Sequence, residues 1–275
     1  MFTCKRPDVS ILALNPEDGK KLYGLANWSL QPIQTQQDVY IHQRLTKALR
    51  TTFEGMETYR VYAPHVVPAS AEIVNTTTLK KCIRLGGDVS LYRNNEVPAD
   101  GVFLKKGEGF AMSAAGCPII IATAYEHMIV AHAGRDSLIE RSAVMGEPAR
   151  KHLSIVNAII EAFKERGART HEIVMCMQFS IPVGKFEHRF DHPRHGAYNK
   201  ALAAFIDERW KNCMIRENGN AMFLSLESLF VEQARQAGVS HVWAAVSLER
   251  NYGLAHTHDG EDPGRRNLIF VKRNA

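Results

Sequence analysis

The chain has 275 residues, 45% of them hydrophobic and 23% charged, which is the makeup of a globular protein that can bury its own core without disulfide staples. Its net charge of +5 is spread along the sequence with no Lys/Arg block, which argues against nucleic-acid or membrane partners and suits a pocket for small anions. The five cysteines, Cys4, Cys82, Cys117, Cys176 and Cys213, are odd in number, scattered and free of CxxC spacing, so reduced thiols in a cytoplasmic protein are expected.

Taken in order, Val9 and Ile11–Leu14 read as a strand, ended by the turn Asn15-Pro16-Glu17-Asp18-Gly19. The apolar run is too short for a signal-peptide core. An extended segment is expected through 25–30. Residues 36–50 carry Val39, Ile41, Leu45 and Leu49 at roughly helical spacing. Tyr59, Val61 and Ala63 alternate as in a strand, and Pro64 keeps His65 extended at or near its end. Residues 71–97 read as a polar excursion with a short strand at Val89–Tyr92. Val102–Leu104 and Phe110–Ala115 are strands joined by the turn Lys105–Gly109.

Next come two apolar runs, Pro118–Ala122 and Met128–Ala131, with Cys117 before the first and His132 ending the second. A helix is expected to begin within 138–144, and a clearer one over 149–165. The second buries Leu153, Val156, Ile159, Ile160 and Phe163 and stops at Gly167. Glu172–Met177 is a strand, apolar enough to be central. Residues 179–193 are irregular. Helices are expected over 198–214 and over 226–237, the latter capped by Ser225 and stopped by Gly238. Strands 241–247 and 268–272 close the chain around a charged loop, 249–266. No repeat or linker interrupts it, so a single α+β domain over 1–275 with a mixed, largely antiparallel sheet is expected.

The chemistry-bearing residues gather around the stretch Gly101–Ser137. Two strands joined by a tight loop would bring the Cys117 thiol and the His132 imidazole to one sheet end. With His65 they form a His-Cys-His set, the three protein ligands plus open position of a catalytic zinc site; copper(I) suits the same donors. Cys117 and His132 alone make a nucleophile and its base, as in acyl hydrolases and deamidases. A protein that binds without catalysis is the third possibility. His256 and His258 in the C-terminal loop offer further metal donors. Arg135, Arg265 and Arg266 can hold a phosphate or carboxylate.

The order of these features resembles the laccase-domain family, the YfiH-like multicopper polyphenol oxidases. The resemblance is carried by Ala99-Asp100-Gly101-Val102, by Ala115-Gly116-Cys117-Pro118 and by His132-Ala133-Gly134-Arg135. Further on it includes Ser180-Ile181 with Phe186-Glu187, the helix of 226–239, and His258-Asp259-Gly260 with Gly264-Arg265. It runs in register over about 35–272. It implies the layered fold shared with cytotoxic-necrotizing-factor and chemoreceptor-deamidase domains. It also implies zinc, or copper, held by His65, Cys117 and His132. The implied activity is phosphorolysis of purine nucleosides or deamination of adenosine, with a small nucleoside and phosphate as partners. Arg135, Arg265 and His258 would then contact substrate or phosphate, and Cys117, His132 and Arg135 would be the catalytic residues.

Overall fold

The computed structural model describes residues 2–5, 9–14, 59–66, 70–86, 89–94, 96–114, 116–148, 151–210, 212–217, 219–247 and 267–274. The expected turn at 15–19, the extended segment at 25–30, the helix at 36–50 and the charged loop 249–266 lie outside them.

The described strands build three sheets where one was expected. The first has seven strands: β1 (Phe2–Lys5), β2 (Val9–Leu14), β3 (Tyr59–Tyr62), β5 (Lys81–Gly86), β6 (Val89–Arg93), β8 (Glu108–Ala114) and β16 (Asn267–Arg273). Their spatial order is β1-β2-β16-β8-β3-β6-β5. The second has six: β4 (Ile73–Asn75), β7 (Gly101–Leu104), β9 (Ile119–Ala124), β10 (His127–His132), β11 (Val174–Ser180) and β15 (His241–Ser247), ordered β15-β11-β9-β10-β7-β4. A small third sheet is β12 (Glu187–Arg189), β13 (Met214–Glu217) and β14 (Ala221–Leu224). Most pairs are antiparallel; β3–β6, β3–β8, β4–β7 and β11–β15 are parallel.

The reason for several sheets is that consecutive strands change sheet. β7 and β8 are joined by a short turn yet belong to different sheets, and the chain crosses back between β8 and β9 through the segment that carries Cys117. Gly116, at φ +98°, turns the chain there in a region that favours glycine. Strands β7, β9 and β10 are buried along nearly their whole length, as their unbroken apolar runs require.

Helix 155–164 packs on β10 and β4, and helix 226–236 on β11 and β15. Phe103 of β7 meets Phe163 edge to face, 5.7 Å between centroids. The 155–164 helix begins later than the sequence suggested. Ser154 caps it by accepting from the Asn157 N–H, and Leu153 stays outside, 45% exposed. Val156, Ile159, Ile160 and Phe163 form the buried face as expected. The helix expected over 198–214 runs instead over Gly196–Arg209, because Met214 starts a hairpin whose sequence Asn218-Gly219 is a strong turn signal that helical periodicity masked. The region 71–97 is more regular than a loop: it contributes β4, β5 and β6. Strand β11 lies between β9 and β15, inside the sheet as expected. No helix of the described residues is long and apolar enough to cross a membrane.

Candidate active site

One end of the six-stranded sheet collects the chemistry. Lateral register places His132 opposite Ile119, and Ile119 opposite Gln178. The His132 N–H donates to the Asp100 carbonyl at 2.8 Å on the far side. Four residues distant in sequence thus form one row across four strands, with Cys117 just ahead of Ile119. Gly101 lets β7 sit that close: a Cβ there would lie 2.8 Å from the Ala131 methyl and 2.6 Å from Ile73 Cδ1.

Asp100 is wholly buried, and its carboxylate is fully engaged. Oδ2 accepts from the Ala71 N–H at 2.7 Å and from the Ser70 hydroxyl at 2.9 Å. Ala71 presents that N–H from a left-handed conformation, φ +46°. Oδ1 accepts from His132 Nδ1 at 3.0 Å and from the Ser137 hydroxyl at 3.0 Å. Ser137 Oγ also lies 3.0 Å from His132 Nδ1. With Nδ1 carrying its proton toward Asp100, the His132 Nε2 is left for a partner on the other side.

That partner is Cys117. Its thiol is hydrogen-bonded to His132, and Gly134 lies against both: a Cβ at Gly134 would stand 2.9 Å from His132 Cε1 and Nε2 and 3.2 Å from Cys117 Sγ. Burial is the largest single influence on the imidazole and would lower its pKa. The Asp100 hydrogen bond and the hydrogen bond and charge of Cys117 outweigh it and push His132 up to about 10. The site brings together a thiol, an imidazole and an orienting carboxylate.

Arg135 follows immediately. Its Nε and Nη2 grip Asp136 Oδ1 and Oδ2 at 2.6 and 3.2 Å. Burial would lower its pKa, but Asp136 and more weakly Cys117 hold its charge in place. The guanidinium lies 5.3 Å from the Tyr198 ring centroid.

His65 lies beside the segment that leads into Asp100. It makes an isolated bridge to Pro98, its carbonyl accepts from the Ala99 N–H, and Arg93 Nη2 lies 3.2 Å from its Nδ1. Burial and the Arg93 charge hold its pKa below the usual histidine value. Among the described residues no three His, Cys, Asp or Glu side chains form a group able to hold a metal ion. The Cys117 thiol and the His132 imidazole are donors of the kind zinc takes. His258 and Arg265 lie outside the described residues.

Three residues gain a place that the sequence reading did not give them. Asp100, which the sequence marks only as part of the segment Ala99-Asp100-Gly101-Val102, is the carboxylate that holds His132. Gly134 is the contact residue between the two reactive groups. Gln178 is buried in the same row, donates to Cys176 Sγ at 3.1 Å and leaves Oε1 without a partner among the described residues. It sits at a double register shift beside Phe179, whose φ is +64°. Strained bulges of this kind concentrate next to active sites.

No protein-family model and no curated protein matches the chain. Solved structures do. YlmD from Geobacillus stearothermophilus superposes with a TM-score of 0.60 at 17% identity, over 86% of this chain and 80% of that one. The Neisseria meningitidis protein NMB0706 gives 0.60 at 15% identity over 100% of this chain and 99% of its own. The Bacillus licheniformis hypothetical protein YfiH gives 0.58 at 13% identity, over 87% and 82%. The architecture is thus the α+β fold of the YfiH and YlmD proteins, the laccase-domain type. At these identities the likeness is one of fold.

Proposed function

We propose that this protein is an enzyme that works through a Cys117 nucleophile, with His132 as base and acid and Asp100 as the orienting carboxylate. Its reaction class is hydrolysis or deamidation of a small carbonyl substrate. One observation carries this reading: a single buried imidazole is held to Asp100 through Nδ1, and Gly134 packs against both its Nε2 edge and the Cys117 sulfur. The thiolate adds to the carbonyl carbon, and the imidazolium gives its proton to the departing amine or ammonia. Water then attacks the thioester while His132 takes up its proton, releasing the carboxylic acid and regenerating the thiolate.

The test is covalent labelling of the intact protein with iodoacetamide, located by mass spectrometry. Cys117 is expected to react first and fastest, His65→Ala to react as the wild type, and His132→Ala to react far more slowly. Equal reactivity of Cys117 in wild type and His132→Ala overturns the proposal.

A second reading is supported by the same Asp100 contact. Metal-bound histidines commonly give their other N–H to a carboxylate, and the fold is that of YfiH and YlmD. Under it the protein is a zinc- or copper-dependent purine nucleoside phosphorylase or adenosine deaminase, with phosphate held by Arg135. Cys117 and His132 would hold the ion, which when bound supplies an activated water. Stoichiometric zinc that disappears in both Cys117→Ala and His132→Ala, with turnover in a nucleoside panel, would select this reading over the first.

A further inference from the structure

Beside the Cys117 centre, two cations share one aromatic ring. Arg135 lies 5.3 Å from the Tyr198 centroid and Arg141 lies 4.6 Å from it, which puts the guanidinium groups less than ~10 Å apart. Tyr198 comes from helix 196–209 and is buried, 5% exposed, with a hydroxyl that has no partner among the described residues. Its place in the structure is explained by its ring, a platform for the two arginines.

The nearby acids are already committed. Asp136 takes the Nε and Nη2 of Arg135. Glu140 is buried and caps the short helix 141–144, its Oε2 accepting from the Ala143 N–H at 3.0 Å. Arg141 is exposed and makes no ion pair among the described residues. A guanidinium held over an aromatic face keeps N–H groups that can donate to an oxyanion, and those of Arg141 are not taken up by an acid among the described residues. Arg135 directly follows Gly134, whose Cβ position lies 3.2 Å from Cys117 Sγ, so an anion held by the two arginines is near the thiol.

We propose that Arg141, which shares the Tyr198 ring with Arg135, binds an anionic group of the substrate, a carboxylate or a phosphate, near Cys117. This names a substrate class for the site proposed above and rests on that site being the reacting one. The preferred substrate is a small carbonyl compound that carries a negative charge near the bond to be broken.

The test has two arms on the full-length chain treated with EDTA. In the first, inorganic phosphate and acetate are titrated by calorimetry. The wild type is expected to bind at least one of them, and Arg141→Gln to bind about 10-fold more weakly, the loss of one charge-assisted contact. In the second, Cys117 labelling by iodoacetate is compared with labelling by its neutral isostere iodoacetamide. The iodoacetate-to-iodoacetamide rate ratio is expected to fall about 10-fold in Arg141→Gln, with the iodoacetamide rate within twofold of wild type. Arg141→Lys, which keeps the charge but not the planar fork, is expected to fall between. Anion affinities and rate ratios unchanged in Arg141→Gln overturn the inference even where Cys117 is the most reactive thiol. Anion binding lost in Arg141→Gln, with Cys117 inert to both reagents, keeps the anion site and removes the nucleophile.

Discussion

Gly134→Ala is the most incisive perturbation of this site. Gly134 has φ −63° and ψ 170°, a conformation any residue adopts, so alanine brings no backbone strain. It should even stabilise by about 0.4–1 kcal/mol through the unfolded chain. The new methyl, however, would stand 2.9 Å from two atoms of the His132 ring and 3.2 Å from Cys117 Sγ. Ordinary contacts between such atoms are about 3.5–4.0 Å, so the ring and the thiol must separate by roughly 0.5–1 Å. The ring cannot turn freely, because Nδ1 is held by Asp100 and Ser137. Overpacking of a buried site costs about 1–3 kcal/mol, which leaves a net change between about zero and 2.6 kcal/mol of destabilisation.

The functional effect should be larger than the structural one. A displacement of that size between reacting groups costs on the order of 100-fold in rate. The assay is iodoacetamide labelling of Cys117 together with urea unfolding of the same samples. Gly146→Ala is the control: Gly146 has φ +76° and open space around its Cβ position, so alanine strains the backbone without approaching the site. It should lower stability and leave labelling alone. A Gly134→Ala protein that labels within twofold of wild type and unfolds at the same urea concentration would refute the proposed contact of His132 and Cys117.

Further expectations follow from the same geometry. Asp100→Asn should lower turnover by about 10³–10⁴-fold while leaving the fold intact, since it spoils the imidazole tautomer without removing volume; a loss below tenfold counts against the orienting role. His132 is pushed up to about 10 from an ordinary value of 6.5, so its stabilising contribution is full below about pH 6.5 and is lost as pH rises through about 10. The urea midpoint should therefore fall between pH 7 and 10.5 more steeply in wild type than in Asp100→Asn, and parallel curves would contradict it. Burial and then Glu232 push the Cys213 thiol up to about 11, so at pH 8 Cys213 should stay unlabelled while Cys117 reacts. Ser154→Ala removes the cap of helix 155–164 and should cost about 0.5–2 kcal/mol in thermal or urea unfolding, with no change in Cys117 reactivity.

What the sequence determined by itself is local. Alternation and unbroken apolar runs located the strands around Cys117 and His132, because a strand buried on both faces must be apolar at every position. Ser225 and Gly238 bounded helix 226–236, because the one satisfies a free N–H and the other turns at φ +90°. Thiol and imidazole beside small residues at strand ends already pointed to the site.

What the tertiary structure decided is lateral. That Asp100, His132, Ile119 and Gln178 share one row depends on strand register across a sheet, and register is set by pairing between distant segments. The same holds for the division into three sheets, which turns on which strand each edge accepts. In the folded chain the Nδ1 of His65 meets the Arg93 guanidinium, and the carboxylate that completes the pair comes from Asp100.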